Sequence, residues 1–322
     1  MLEAMTDAQV GDDVFGEDPT INRLEETAAK MFGMEGAIYC PSGTMTNQIA
    51  IKCHTQPGDE VICDESAHVY QYEGGGIAFN SGASVKLLYG DRGRITATQV
   101  ADAIQPDDSH RARTSLVCLE NTSNRGGGSC YDFAEIKKIQ QLCAEKGLAL
   151  HLDGARLWNA LVEKKETPVD YGQAFDSISV CLSKGLGCPV GSLLLGSREL
   201  MKKARRVRKV FGGGMRQAGF IAAAGLYALE NHIDRLKIDH ERAKAIEKVL
   251  QQRAVVKQVL PVETNIVIFE LNTELTAAEC VNRLKSDQIL SFAISPTRVR
   301  LVLHLDISDL MFERALEIFA KL

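Results

Sequence analysis

No apolar run in the sequence is long enough to span a bilayer, and no basic-then-apolar leader opens it, so a membrane partner is not expected. There is no C-x-x-C pair and no companion histidine spacing; the nine cysteines are scattered singly. That pattern implies neither a disulfide framework nor a zinc site, leaves no metal expected, and fits reduced core thiols in a cytoplasmic protein. Internal repeats and low-complexity tracts are missing as well. Nor does either nucleotide fingerprint occur. Gly74-Gly75-Gly76 comes too late after its strand, no G-x-G-x-x-G stands where one would be needed, and no G-x-x-x-x-G-K-[ST] is present. A formal net charge of -5 argues against nucleic acid as the main partner.

What is present is a chain of 322 residues, longer than one core usually serves, so a large domain over 1–230 and a smaller one over 231–322 are expected. Its 45% apolar and 25% charged residues are ordinary for a soluble enzyme. The organising stretch is 177–196. A short apolar run ends at Leu182, Lys184 follows in a turn with Gly185-Leu186-Gly187, and a second apolar run leaves beyond Pro189. An amine held between two strands and partly desolvated suits a nucleophile that forms a Schiff base with an aldehyde; a surface loop lysine is the other reading.

In chain order, an uncapped helical start at Leu2 gives way to the glycine- and acid-rich loop 10–20, and Asp18-Pro19 opens an amphipathic helix over 20–32. The segment 37–51 reads as strand, Ser42-Gly43-Thr44 turn and helix. Free N–H groups there, with the Thr44 hydroxyl, make either an anion site or an ordinary helix cap. A strand over 60–63 leads to His68, functional or structural, and to Tyr72. Strands over 115–120, 149–153 and 177–182, with a helix over 133–146, give strand–helix repetition and a mostly parallel sheet. In such sheets function gathers at the carboxyl ends of the strands, which here carry Glu120-Asn121-Thr122, Asp153 to Arg156, and Ser183-Lys184. A basic helix over 198–209 is broken by Gly212-Gly213-Gly214 before Arg216. Helices over 217–230 and 233–252 lead to a small α+β tail with strands over 265–271 and 299–304. On the second of these Arg300 sits between apolar neighbours, and an inward charge there needs an anionic partner.

An anion cup at Gly43-Thr44, a flat ring at His68, a strand-end carboxylate at Asp153 and the amine of Lys184 answer the needs of pyridoxal 5'-phosphate one by one. The motifs at 10–20, Pro41-Ser42-Gly43-Thr44, His151-Leu152-Asp153-Gly154-Ala155-Arg156, 182–187, 212–217 and 299–306 together resemble the low-specificity threonine aldolase family of the beta-eliminating lyase group. The resemblance covers nearly the whole chain. It implies an α/β, PLP-dependent transferase-like fold (fold type I), with a mostly parallel sheet in the large domain plus a small C-terminal α+β domain. It also implies that Lys184 carries the cofactor, Asp153 pairs with its pyridine nitrogen, His68 stacks on its ring and Gly43 and Thr44 hold its phosphate. Arg156 would lie beside the phenolic oxygen and Arg300 would bind the substrate carboxylate, with Arg156 and Tyr72 sharing in substrate binding. Arg216 is expected to reach a phosphate across a subunit interface, since such enzymes form homotetramers built as dimers of dimers.

The implied reaction is cleavage of a β-hydroxy-α-amino acid, threonine or allo-threonine, to glycine and an aldehyde, in amino-acid metabolism in the cytoplasm. Two departures stand out. The family's opening Arg-Ser-Asp-Thr-Val-Thr stretch has no counterpart, and the histidine that usually follows Glu-Asn-Thr is replaced by Ser123. Serine is no general base near neutral pH, so the base would be His68, a water, or Ser123 acting in some other way. Another lyase, a racemase or an aminotransferase using the same cofactor, or a cofactor-binding protein without useful catalysis, is the alternative.

Overall fold

The computed structural model describes residues 1–272 and 275–322. Its central sheet contains β1 (Gly36–Cys40), β2 (Asp59–Asp64), β3 (Ser84–Leu88), β4 (Arg113–Glu120), β5 (Ala149–Gly154), β6 (Ser177–Cys181) and β7 (Ser192–Gly196). The spatial order is β1-β7-β6-β5-β4-β2-β3. From β6 across to β3 all neighbours are parallel, while β7 runs antiparallel to both β6 and β1. Strands β2, β6 and β7 are buried at every position. Helices cover both faces of such a sheet, so these strands read as apolar runs without alternation.

The helices are punctuated by short-range chemistry. Asp18 accepts from the N–H groups of Thr20 and Ile21 at the head of Pro19–Phe32, and Gly33 ends that helix in the left-handed region. Ser42 caps Gly43–His54, accepting from Met45 N–H. Phe133–Lys146 runs from an Asp132 cap to Gly147, over the span the sequence predicts. The interval after β5, unassigned from sequence, holds the helices Leu157–Lys164 and Pro168–Ala174.

A second sheet, antiparallel throughout, is built from β8 (Val256–Val259), β9 (Ile266–Leu271), β10 (Phe292–Ala293) and β11 (Arg298–Val302) in the order β10-β11-β9-β8. The expected strand over 299–304 therefore stops at Val302. The long helix expected over 233–252 is Leu236–Leu250, and it joins two cores. Its Leu236 packs with the large-sheet core, whereas Ala243, Ile246 and Leu250 pack with Phe269, Leu284 and Phe319. Each of the buried leucine, isoleucine and phenylalanine side chains contributes about 1.5–3 kcal/mol. We take the separate cores as support for dividing the chain into domains 1–230 and 231–322.

The basic helix is Arg198–Val210, and part of its charge turns inward. Arg205 pairs with Glu25, and Arg208 pairs with buried Asp13 at 2.9 Å and donates to the Tyr39 carbonyl at 2.7 Å. Part of its charge is thus taken up by packing within the chain.

Candidate active site

Parallel pairing sets Glu120 at the end of β4 beside Asp153 on β5. Asp153 is buried; its Oδ1 accepts from Ala155 N–H at 3.1 Å, and its Oδ2 is buried with no hydrogen-bond partner among the described residues. Glu120 accepts from the N–H groups of Asn124 and His68, both at 2.8 Å. Burial, and next the charge of Asp153, push its carboxyl up to about 7, because a second anion in the same dry corner is disfavoured.

His68 opens the short helix His68–Gln71 and is half-buried. Its Nδ1 lies 3.0 Å from Glu73 Oε1, a contact that raises the imidazole above its ordinary value. Donor atoms of His68, Glu73 and Asp153 all fall within 4.8 Å of one another. The Tyr72 ring stands 5.7 Å from the His68 ring, tilted by 38°. Glu73 is held from behind, accepting from Asn47 Nδ2 at 2.9 Å and Gln48 Nε2 at 2.6 Å.

Behind Glu73 a polar chain continues inward. Asn47 Oδ1 lies 3.1 Å from His151 Nε2, His151 Nδ1 lies 2.8 Å from Ser177 Oγ, and Ser177 Oγ lies 2.9 Å from His54 Nε2. Burial pushes His151 down to about 3 and His54 down to about 4, so both are neutral at neutral pH. A carboxylate only accepts, so Asn47 must donate to Glu73 through its amide nitrogen and accept through its oxygen. His151 is then protonated on Nε2, and Ser177 donates to its Nδ1 while accepting from His54. Every donor in the chain points toward Glu73, which fixes that carboxylate and, through it, the His68 ring.

Lys184 lies in the turn between β6 and β7, whose ends pair as Cys181 with Ser192. The turn is closed by Leu182 N–H to Gly191 O at 3.0 Å, Cys188 N–H to Leu182 O at 3.1 Å and Gly187 N–H to Lys184 O at 2.9 Å. Gly187 has φ +73°, and a Cβ there would stand 2.4 Å from Leu305 Cδ2, so only glycine suits this position. The Lys184 amine makes no hydrogen bond or ion pair among the described residues, and with Arg156, Cys188 and His304 the residue lines a cavity of about 380 Å³. Helix Gly43–His54 abuts this turn: a Cβ on Gly43 would meet Cys181 Sγ at 2.6 Å. The Gly43 and Thr44 N–H groups have no acceptor among the described residues.

Opposite these acids stand arginines. Arg156 lies two residues beyond the end of β5, and burial lowers it from the usual arginine range despite the opposing pull of Glu120 and Asp153. Arg300 comes from β11 and donates to Asn124 Oδ1 at 2.6 Å; its Nε is buried and unpartnered. Burial, then the positive charges of Arg156 and Arg125, bring it down to about 10. The anionic partner expected for Arg300 is thus not a protein carboxylate among the described residues.

A family model described as beta-eliminating lyase matches residues 1–274. The chain belongs to this family. It is 43% identical over 309 residues to the low specificity L-threonine aldolase of Escherichia coli strain K12, covering 96% of this chain and 90% of that protein. To the low-specificity L-threonine aldolase 1 of Arabidopsis thaliana it is 39% identical over 311 residues, covering 94% and 87%. Among solved structures, the threonine aldolase of Leishmania major superposes with a TM-score of 0.84 at 21% identity, over 98% of this chain and 92% of that one, which establishes the shared fold.

Against this background the sequence-predicted residues divide. Asp153, His68 and Tyr72 come together, Lys184 and Arg156 share one cavity, and Arg300 lies within electrostatic reach of Arg156 and Tyr72. Ser123 does not join them. Its Oγ accepts from Gly126 N–H at 3.2 Å and abuts Gly93, where an added Cβ would sit 2.2 Å away. Arg216 donates to Asp12 at 2.6 Å and lies 5.9 Å from the Phe15 ring centre; no interaction among the described residues links it to Lys184 or Asp153. Sequence reasoning passed over Glu73, Asn47, Gln48 and Arg125. For Asn47 and Gln48 a signal existed, since both are amides on what should be the buried stretch of an apolar helix.

Proposed function

We propose that the protein is a pyridoxal-phosphate enzyme that cleaves β-hydroxy-α-amino acids, L-threonine and L-allo-threonine among them, to glycine and an aldehyde. The observation that carries this is the buried, unpartnered Oδ2 of Asp153, set beside His68 and one strand from the unpartnered Lys184. An orphaned carboxylate oxygen in a dry site fits a protonated pyridine nitrogen, and the open N–H groups of Gly43 and Thr44 fit a phosphate. Lys184 would hold the aldehyde carbon. When bound, the cofactor supplies an electron sink for the pair left on Cα.

The protein's own groups then have defined tasks. Arg300 and Arg156 take the substrate carboxylate and set the Cα–Cβ bond in a fixed direction. Asp153 keeps a nearby cation protonated, as an anion in a low-dielectric pocket does. His68 has its Nδ1 tied to Glu73, which orients Nε2 so that the unprotonated form of the ring can take the β-hydroxyl proton there. Ser123, with its hydroxyl engaged by Gly126, is given no proton-transfer role. Arg216, whose exposed side chain meets Asp12 and the Phe15 ring, is proposed to serve a phosphate in a neighbouring copy within a homotetramer. A cytoplasmic setting is supported by nine free, buried cysteines. The test is to incubate the purified protein with pyridoxal phosphate and threonine, measuring glycine and acetaldehyde, beside serine and pyruvate. Acetaldehyde in step with glycine is expected; pyruvate from serine without acetaldehyde would replace aldol cleavage by β-elimination.

A further inference from the structure

The site gathers more positive charge than one amino-acid carboxylate requires. Arg125 has no task in the scheme above, yet it stands at the same place. Its guanidinium carbon is 5.7 Å from the centre of the Tyr72 ring, and Tyr72 in turn is 5.7 Å from His68. The preceding residue, Asn124, accepts the Arg300 hydrogen bond. Arg125 itself donates to the Ile294 carbonyl, a long contact of 3.4 Å, and Ile294 follows β10, where Phe292 pairs with Arg300. Arg125 is therefore tied on two sides to the immediate neighbours of Arg300.

Its chemistry is unfinished. A guanidinium offers five N–H donors, and Arg125 engages one, with no carboxylate paired to it among the described residues. Among the described residues the Arg156 guanidinium has no hydrogen-bond or ion-pair partner, and Arg300 retains a buried, unpartnered Nε. The charges of Arg156 and Arg125 both bear on Arg300 and repel it. An anion placed among them relieves that repulsion and gains charge-assisted hydrogen bonds. One α-carboxylate answers Arg300 and Arg156. The open donors of Arg125 would receive a second anion on the side of Tyr72 and His68, where the β-substituent of the substrate lies if His68 attends the β-hydroxyl.

We infer that the substrate is a β-hydroxy-α-amino dicarboxylic acid, with Arg125 the residue that selects the carboxylate of its β-substituent. This rests on the amino-acid lyase reading of the site. The shortest such compound is 3-hydroxyaspartate. Its Cα–Cβ bond breaks, the β-hydroxyl loses its proton as Cβ–O becomes a carbonyl, and Cα keeps the electron pair and takes up a proton. Glycine and glyoxylate result, with no oxidant or reductant required.

The experiment compares kcat/KM for 3-hydroxyaspartate, read as glyoxylate, with that for threonine, read as acetaldehyde, in the holoenzyme and in Arg125→Gln and Arg125→Lys. The wild type is expected to prefer the diacid. In Arg125→Gln the ratio of diacid to threonine should fall by roughly 10- to 100-fold, chiefly through KM, with Arg125→Lys between. A wild-type preference for threonine, or a ratio unmoved by Arg125→Gln, would overturn the assignment and leave Arg125 as a brace for Tyr72. Calorimetry with L-aspartate and L-alanine, which lack the hydroxyl to be cleaved, reads the same selectivity without turnover. Tighter aspartate binding with no cleavage of either hydroxy acid would sustain the diacid pocket while refuting the aldolase reading; equal binding would refute the pocket.

Discussion

Asp153, Glu120 and Glu73 bring the negative charge of the site with nearly every carboxylate oxygen engaged, and among the described residues only Asp153 Oδ2 is left without a partner. The guanidinium groups of Arg125, Arg156 and Arg300, which bring the positive charge, share two hydrogen bonds to protein among the described residues. The acids stand on or beside the parallel sheet and are fixed by backbone N–H groups and buried amides. The arginines stand on a loop, a strand end and the second sheet, with most donors open. A carboxylate bound by oriented dipoles is prepared before any ligand arrives, whereas an open guanidinium acquires its partner with the ligand. The acid side is accordingly where electrostatic work on reacting atoms belongs, and the arginine side is where binding and selection belong.

The largest effect is expected where the two sides meet. Lys184→Ala should lower turnover by at least about 10³-fold, the scale of losing a covalent anchor. Borohydride reduction of the wild type loaded with pyridoxal phosphate, followed by peptide mapping, should place the adduct on Lys184. An adduct on another lysine would move the centre of the site away from both groups and dissolve the comparison.

Asp153→Asn tests the acid side by keeping shape and removing charge. Turnover should fall by roughly 10²-fold, the order lost with one oriented electrostatic partner, while cofactor is still retained. Turnover near that of the wild type would make Asp153 a strand-end carboxylate of structural use only.

How far this contrast could be read in advance follows from how each side is built. Parallel strands buried on both faces are apolar runs that end abruptly in polar residues, so Glu120, Asp153 and Lys184 stood out. Glu73 did not, being one of 42 acidic residues, and only the packing of helix Gly43–His54 brings Asn47 and Gln48 to it. The place of β7 between β1 and β6 depends on pairing across most of the large domain, which no local pattern encodes. Ser123 follows a strand end and so looked placed for chemistry. Its loop folds back instead, through Ser123 N–H to Ser129 O and Gly128 N–H to Ser123 O, and turns the hydroxyl to Gly126. Arg125 reads as one more basic residue before glycines until the second sheet is set against it.

On the arginine side, Arg300→Lys keeps the charge and loses the planar fork. KM for the amino-acid substrate should rise by about 10-fold with a smaller change in kcat, the signature of a contact made equally in the ground and transition states. A fall in kcat at unchanged KM would mean that Arg300 shares the electrostatic work assigned to the acids, and the division between the sides would blur.

The smallest effect sought concerns the polar chain that holds Glu73, and it is read in stability. His151 has an ordinary value of 6.5 and is pushed down to about 3 by burial, so between those limits the unfolded chain binds a proton that the folded chain refuses. Stability must then fall as pH drops from 6.5 toward 3, by at most about 1.4 kcal/mol per pH unit for this one group, and is unaffected by it above 6.5. His54 acts in the same direction down to about 4, whereas Glu120, raised to about 7, binds its proton more readily when folded and opposes them. Comparing wild type with His151→Gln cancels both neighbours, since glutamine can still donate to Asn47 and accept from Ser177 but does not titrate. Melting temperatures measured from pH 7 down to pH 5 should decline more steeply in the wild type than in the variant. Parallel declines would mean that His151 takes up a proton without unfolding, and that the acid side of the site is less rigidly held than its hydrogen bonds indicate.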